Sequence, residues 1–141
     1  MRILIDTNIL LDAVIGRKPY GDAADKILQL CASGKVQGIL AAHSIPNMFY
    51  ILRRDFSVEE RREILQYLCM ILHVEPIDRA KLLSALNDAS FSDFEDCLQL
   101  KCAASTRADY IITRNLADFA ASSIPCLTAS DFCTRYENQT N

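Results

Sequence analysis

Four aspartates carry the chemistry this sequence can offer. Asp6 ends the apolar run "RILID", Asp93 and Asp96 stand three residues apart in "SDFEDCLQL", and Asp118 follows Asn115 in "ITRNLADF". A three-residue step is close to one helical turn, so Asp93 and Asp96 can share one face near a helix start. Carboxylates brought together repel unless a cation neutralises them. Oxygen-only donors suit a hard ion, Mg²⁺ or Mn²⁺, rather than zinc. Such an ion can activate water and stabilise charge developing on a phosphate during in-line displacement. Each acid also has a plainer role. Asp6 can cap a following helix, with Thr7 and Asn8 as a polar turn; Asp93 can answer the helix dipole; Asp118 can be a turn acid beside Phe119. Chemistry therefore requires that the fold bring the acids together.

The elements that must position them are legible in outline. "RILIDT" reads as a buried parallel strand whose carboxyl end lies near Asp6. "GDAADKILQLCASGK" has helical spacing with Gly34 as its stop, and "VQGILAA" is a second strand. "HSIPNMFYILRR" predicts a helix capped by Ser44 with Pro46 in its first turn. In "SVEERREILQYLCMIL", Ser57 and Glu60 match a capping box. "HVEPI" reads as a third strand, "DRAKLLSALND" and "SDFEDCLQLKCAASTR" as helices, "ADYIITRN" as a fourth strand, and "IPCLTASDF" as a fifth entering a helix capped by Ser130. Alternating strands and helices predict an α/β fold of three layers, with a mostly parallel sheet of about five strands covered by helices on both faces. In such sheets ligands gather outside the carboxyl ends of the strands. Asp6, Asn115 and Asp118 fall at such ends, and the helix carrying Asp93 and Asp96 can reach the same edge.

The chain's 141 residues fit one domain. Residues 1–136 read as that domain, and 137–141, "ENQTN", as a polar, frayed tail. No apolar run reaches the ~20 residues of a membrane span. An acid at position 6 interrupts what a secretory signal would need, so the cytoplasm is the expected compartment. None of the six cysteines forms a two-residue zinc spacing, and most sit in apolar company, as reduced small hydrophobes do. A net charge of −3 argues against nucleic-acid binding by bulk electrostatics alone. Local basic residues must then do that work: Arg53 and Arg54 form a close pair, and Arg114 beside Asn115 is placed for a phosphate. Arg61 and Arg62 read better as a solvated helix face. Asp12, beyond Asn8 on the same segment, is expected to face solvent, and Glu95 to point to a different side of its helix from Asp96.

With "LIDTNILLD", "DFEDCLQLKCA" and "ADYIITRNLADF…IPCLTASDF" in this order over nearly the whole length, the chain resembles a PIN domain, the fold of many metal-dependent ribonucleases including VapC-type toxins. The resemblance implies that Asp6, Asp96 and Asp118 are catalytic and that Asp6, Asp93, Asp96 and Asp118 hold Mg²⁺ or Mn²⁺. It implies support from Asn8, Asn47 and Asn115, RNA as substrate, an antitoxin protein as partner and a homodimer. The sequence departs from the pattern at Asn47, where PIN nucleases carry a glutamate on the helix after the second strand, and Asn115 stands where many relatives have aspartate. Two readings follow: a divalent-metal-dependent endoribonuclease, or a degenerate PIN-like module that binds nucleic acid or a protein without cutting.

Overall fold

A computed structural model describes residues 1–141. Five strands, β1 (Arg2–Ile5), β2 (Gln37–Ala41), β3 (His73–Glu75), β4 (Tyr110–Ile112) and β5 (Cys126–Leu127), form one sheet in the order β3-β2-β1-β4-β5. Every pairing is parallel, with Leu4 of β1 aligned to Ile39 on one side and Ile111 on the other. The chain winds outward from β1 through β2 to β3, then returns to lay β4 and β5 on the opposite flank. The strand order thus reverses beside β1, and the crevice at the carboxyl ends of β1 and β4 is the switch point where such sheets bind ligands.

Seven helices connect and cover the strands: α1 (Thr7–Ile15), α2 (Gly21–Ala32), α3 (Ser44–Ile51), α4 (Val58–Ile71), α5 (Arg79–Leu86), α6 (Phe94–Ser105) and α7 (Ala129–Thr140). Alternation along the strands divides the core in two. Ile3 and Ile5 of β1, with Leu40 and Ile112, pack against Leu10, Ile27, Met48, Leu68 and Phe132 from the helices of one face. Leu4, Ile39, Ala41 and Ile111 face the other way, onto Leu100, Cys102 and Ala103 of α6. Full burial of each large side chain contributes about 1.5–3 kcal/mol, so both layers anchor the sheet edge that carries the acids.

The capping box of α4 forms as the sequence predicts, Ser57 Oγ accepting from Glu60 N–H at 3.1 Å and Glu60 accepting from Ser57 N–H at 2.9 Å. Two other caps differ. α3 begins one residue earlier than expected, with His43 at the cap position and no side-chain cap bond, so Ser44 lies inside the helix and its hydroxyl is buried. α7 is capped by Thr128, which accepts from Asp131 N–H at 3.1 Å, rather than by Ser130. The polar stretch expected to fray instead continues α7 through Thr140. All six cysteines are free; four are buried and Cys69 is exposed on α4. No helix is long and apolar enough to cross a membrane.

Candidate active site

Asp6 is the residue after β1 and the cap of α1. Its Oδ1 accepts from Thr7 N–H at 2.8 Å and its Oδ2 from Thr113 Oγ1 at 2.9 Å, so the carboxylate is held between the ends of β1 and β4. It is only 4 % exposed. Burial raises its pKa, the bonds from Thr113 and Thr7 oppose that, and the charge of Asp93 adds to it. Asp93 caps α6, accepting from Asp96 N–H at 3.0 Å, which sets Asp96 in the first turn of that helix. Asp118 sits in the short 3₁₀ turn Leu116–Phe119 after β4, its N–H bonded to Asn115 O at 3.0 Å.

These segments line one open cleft of about 450 Å³, which also receives Asn8, Asn47, Asn115 and Glu95. The pile-up of charge is clearest at Asp96. Partial burial and the neighbouring Asp93, Asp6, Asp118 and Glu95 push its carboxyl up to about 7. No lysine or arginine lines the cleft. Its carboxylates are therefore hard oxygen donors crowded together with no cation in the cleft lining, Arg114 acting on Asp6 only from the neighbouring cavity, a donor set suited to a divalent cation. They converge without closing, since no three of them form a ready-made ligand group.

Glu95 corrects the expectation that it faces elsewhere. It lines the same cleft, and its Oε1 accepts from Asn47 Nδ2 at 3.3 Å, so the amide on α3 and the carboxylate on α6 meet across it. In the first turn of a helix, adjacent residues both splay toward the N-terminal opening, and here that opening is the cleft itself. Beneath the floor, Thr7 Oγ1 and Ser44 Oγ lie 2.7 Å apart, and Gln99 Nε2 donates to both, at 3.1 and 3.2 Å. This buried knot ties α1, α3 and α6 together under the acids. Sequence reasoning missed it, although Gln99 stands three residues past Asp96 on an otherwise apolar face, which is the signal of a buried polar contact.

Asp12 is the second correction. It is fully buried rather than solvent-facing, its Oδ2 lying 2.9 Å from Arg114 Nε and its Oδ1 3.6 Å from Arg17. The Arg114 contact is off the line of a good hydrogen bond, so it is an ion pair above all. Arg114 also lies over the Tyr20 ring at 4.3 Å, and it borders a neighbouring cavity instead of the acidic cleft. Arg53 and Arg54 are exposed on the 3₁₀ turn after α3; Arg53 donates to Tyr50 O at 2.9 Å and stacks on the Tyr50 ring, itself at the cleft. Arg61 is buried, donating to Phe49 O at 2.7 Å, and serves the packing of α4 on α3.

A parallel α/β domain with an acidic cleft at its switch point defines the class of this molecule. The chain belongs to the PIN domain family, whose model matches residues 2–117. Among solved structures it is similar to VapBC2 from Rickettsia felis bound to a DNA fragment from its promoter, at 16 % identity and TM-score 0.66, covering 91 % of this chain and 98 % of that one. A toxin–antitoxin complex from Klebsiella pneumoniae matches at 22 % identity and TM-score 0.66, over 90 % and 97 % of the two chains. VapBC-1 from nontypeable Haemophilus influenzae matches at 16 % identity and TM-score 0.68, over 92 % and 99 %. At these identities the likeness is one of fold. No curated protein matches the chain in sequence.

Proposed function

We propose that the cleft is the active centre of a Mg²⁺- or Mn²⁺-dependent endoribonuclease that hydrolyses RNA phosphodiesters. The observation that carries this reading is the convergence of Asp6, Asp93, Asp96, Asp118 and Glu95 on one open cleft lined by no lysine or arginine, with Asp96 raised to about 7. Asp6, Asp93, Asp96 and Asp118 would hold the cation, which when bound supplies an activated water and charge stabilisation at the scissile phosphate. Asp6 is oriented by Thr7 and Thr113 and so presents a fixed carboxylate. Asp93 spends one oxygen on the α6 cap and keeps the other for the cleft. Asn8, Asn47 and Asn115 supply neutral polar contacts around the acids, and Asn47 holds Glu95 against the opposite wall. Arg114, Arg53 and Arg54 supply the phosphate contacts that an acidic chain otherwise lacks.

The toxin–antitoxin complex among the similar structures supports an antitoxin protein as partner; a homodimer in the cytoplasm belongs to the same proposal. The exposed apolar residues Tyr50, Ile51, Phe94 and Leu116, carried by the elements that line the cleft, give such a partner a surface to cover.

A second reading, a module that binds without cutting, is favoured by the amide at Asn47 and by acids that converge without forming a ligand trio. The two separate in one assay: a mixed structured RNA incubated with the purified chain and Mn²⁺, Mg²⁺ or EDTA, beside Asp96→Asn. Metal-dependent cutting that the variant lacks is the expected result. A folded, metal-supplied chain that leaves every RNA intact overturns the nuclease reading in favour of the binding module.

A further inference from the structure

Next to the acidic cleft lies a second cavity, about 480 Å³, and the two share Asn115. Their chemistry is opposite. The second is bordered by Pro19, Tyr20, Arg114, Thr128 and Ser130 with Asn115, and by no carboxylate. Arg114 is fixed there from behind. Asp12, fully buried, is shared by Arg114 and Arg17, so the one cation that borders this cavity is held in place by a carboxylate behind it. The close passage of the chain that builds this corner depends on glycine. A side chain on Gly21 would meet the backbone of Gly16 at 2.9 Å and Asp12 O at 3.1 Å, so α2 can start against the end of α1 only with none there. Tyr20 is left 44 % exposed beside Arg114.

We propose that this cavity is a nucleotide subsite, resting on the ribonuclease reading above: it holds the residue of single-stranded RNA next to the scissile phosphate, with Arg114 on its phosphate and Tyr20 as the platform for its base. The cavity is in the size range of small-molecule pockets. Tyrosine faces stack unpaired bases, and a guanidinium held over the ring adds a cation–π contribution. A polyanion crossing the acidic cleft meets repulsion wherever a cation does not cover the acids. The adjacent cavity, bordered by Arg114 and by no carboxylate, offers a phosphate contact one nucleotide away, and Asn115, common to both, sets the step between them. Asp12 acts as a positioning residue for Arg114.

The test is fluorescence anisotropy of a 5′-labelled single-stranded RNA dodecamer with Mn²⁺, using the full chain carrying Asp96→Asn so that the RNA survives. On that background Tyr20→Ala is expected to weaken binding about 10-fold, the loss of one stacked base. Ser130→Glu, on an exposed position that leaves the fold alone, is expected to weaken it by a similar factor, while Tyr20→Phe binds as the parent does. Parent-like binding by both Tyr20→Ala and Ser130→Glu overturns the subsite and leaves the nuclease reading standing. A wild-type chain that neither binds nor cuts the RNA in Mn²⁺ overturns both.

Discussion

Helix α1 carries two buried aspartates at its two ends, and the fold treats them in opposite ways. Asp12 has Arg17 and Arg114 beside it, and its charge is answered within the chain. Asp6, at the cap, has hydrogen bonds from Thr7 and Thr113 and feels the charge of Arg114, but no cation pairs with it directly and it faces the carboxylates of Asp93 and Asp96. The same contrast repeats on a smaller scale between Asp88, which Ser90 and Lys101 hold down at about 2, and Asp96, pushed up to about 7. The chain has 15 lysines and arginines against 18 acids, and none of these cations lines the acidic cleft. Several carboxylates gathered in one cleft with no lysine or arginine in its lining are the mark of a site completed from outside.

The comparison can be broken most sharply at Asp96. Asp96→Asn removes an oxygen donor and also a repulsion, so activity on RNA is expected to fall on the order of a thousand-fold while the melting temperature without metal rises. A variant that lost stability along with activity would mean that Asp96 belongs with Asp12 as a structural acid. Asp12→Ala is expected to act on stability first, and on RNA only through the loosened Arg114. It leaves two arginines facing an emptied buried position and costs about 3 kcal/mol in urea unfolding. In a double-mutant cycle, Asp12→Ala with Arg114→Met should cost less than the two single losses added together. Next in size is Glu95. If it belongs to the unanswered set, Glu95→Gln weakens Mn²⁺ binding about 10-fold by calorimetry, and Asn47→Glu placed on that variant restores it from the facing helix. Unchanged Mn²⁺ affinity in Glu95→Gln would return Glu95 to the role of a partner for Asn47 alone.

The parallel sheet and the convergence of the acids were legible because both follow from short-range patterns. Strand runs such as "ILI" and "YII" end on polar residues, and the acids follow those ends. The caps were less legible. Ser44 and Ser130 look like caps to any local rule, but Ser44 is claimed by Thr7 and Gln99, from segments 37 and 55 residues away in sequence, and at Ser130 the helix simply starts earlier, at Thr128. Asp12 was misjudged for the same reason. A lone acid on a short helix reads as solvent-facing until Arg114, which only the pairing of β4 with β1 brings alongside, is seen to reach it. Glu95 escapes the angular rule because helical side chains tilt toward the N-terminus, and at the start of α6 that end opens onto the cleft, within reach of a long side chain.

The smallest expected effect is on the pH dependence of stability, and its sign separates the acids raised by burial, Asp6, Asp12 and Asp96, from Asp88, which is held down. A carboxyl whose pKa is raised by folding binds more protons in the native state than in the unfolded chain, so stability falls as pH climbs from the ordinary carboxylate range toward the raised value. For Asp96 that window runs from about 4 to about 7. A depressed carboxyl such as Asp88 gives the opposite slope, with stability lost as pH falls through about 2, well outside that window. Asp96 is only half-buried, and solvent screens much of its repulsion, so a metal-free melting curve is expected to drop by a few degrees between pH 5 and 7.5, not by tens. Added Mn²⁺ should flatten the slope, because a bound cation replaces the proton as the counter-charge, and Asp96→Asn should flatten it with no metal at all. A slope that persists in Asp96→Asn would assign the titration to Asp6 or Asp12, and the division between answered and unanswered acids would have to be redrawn around them.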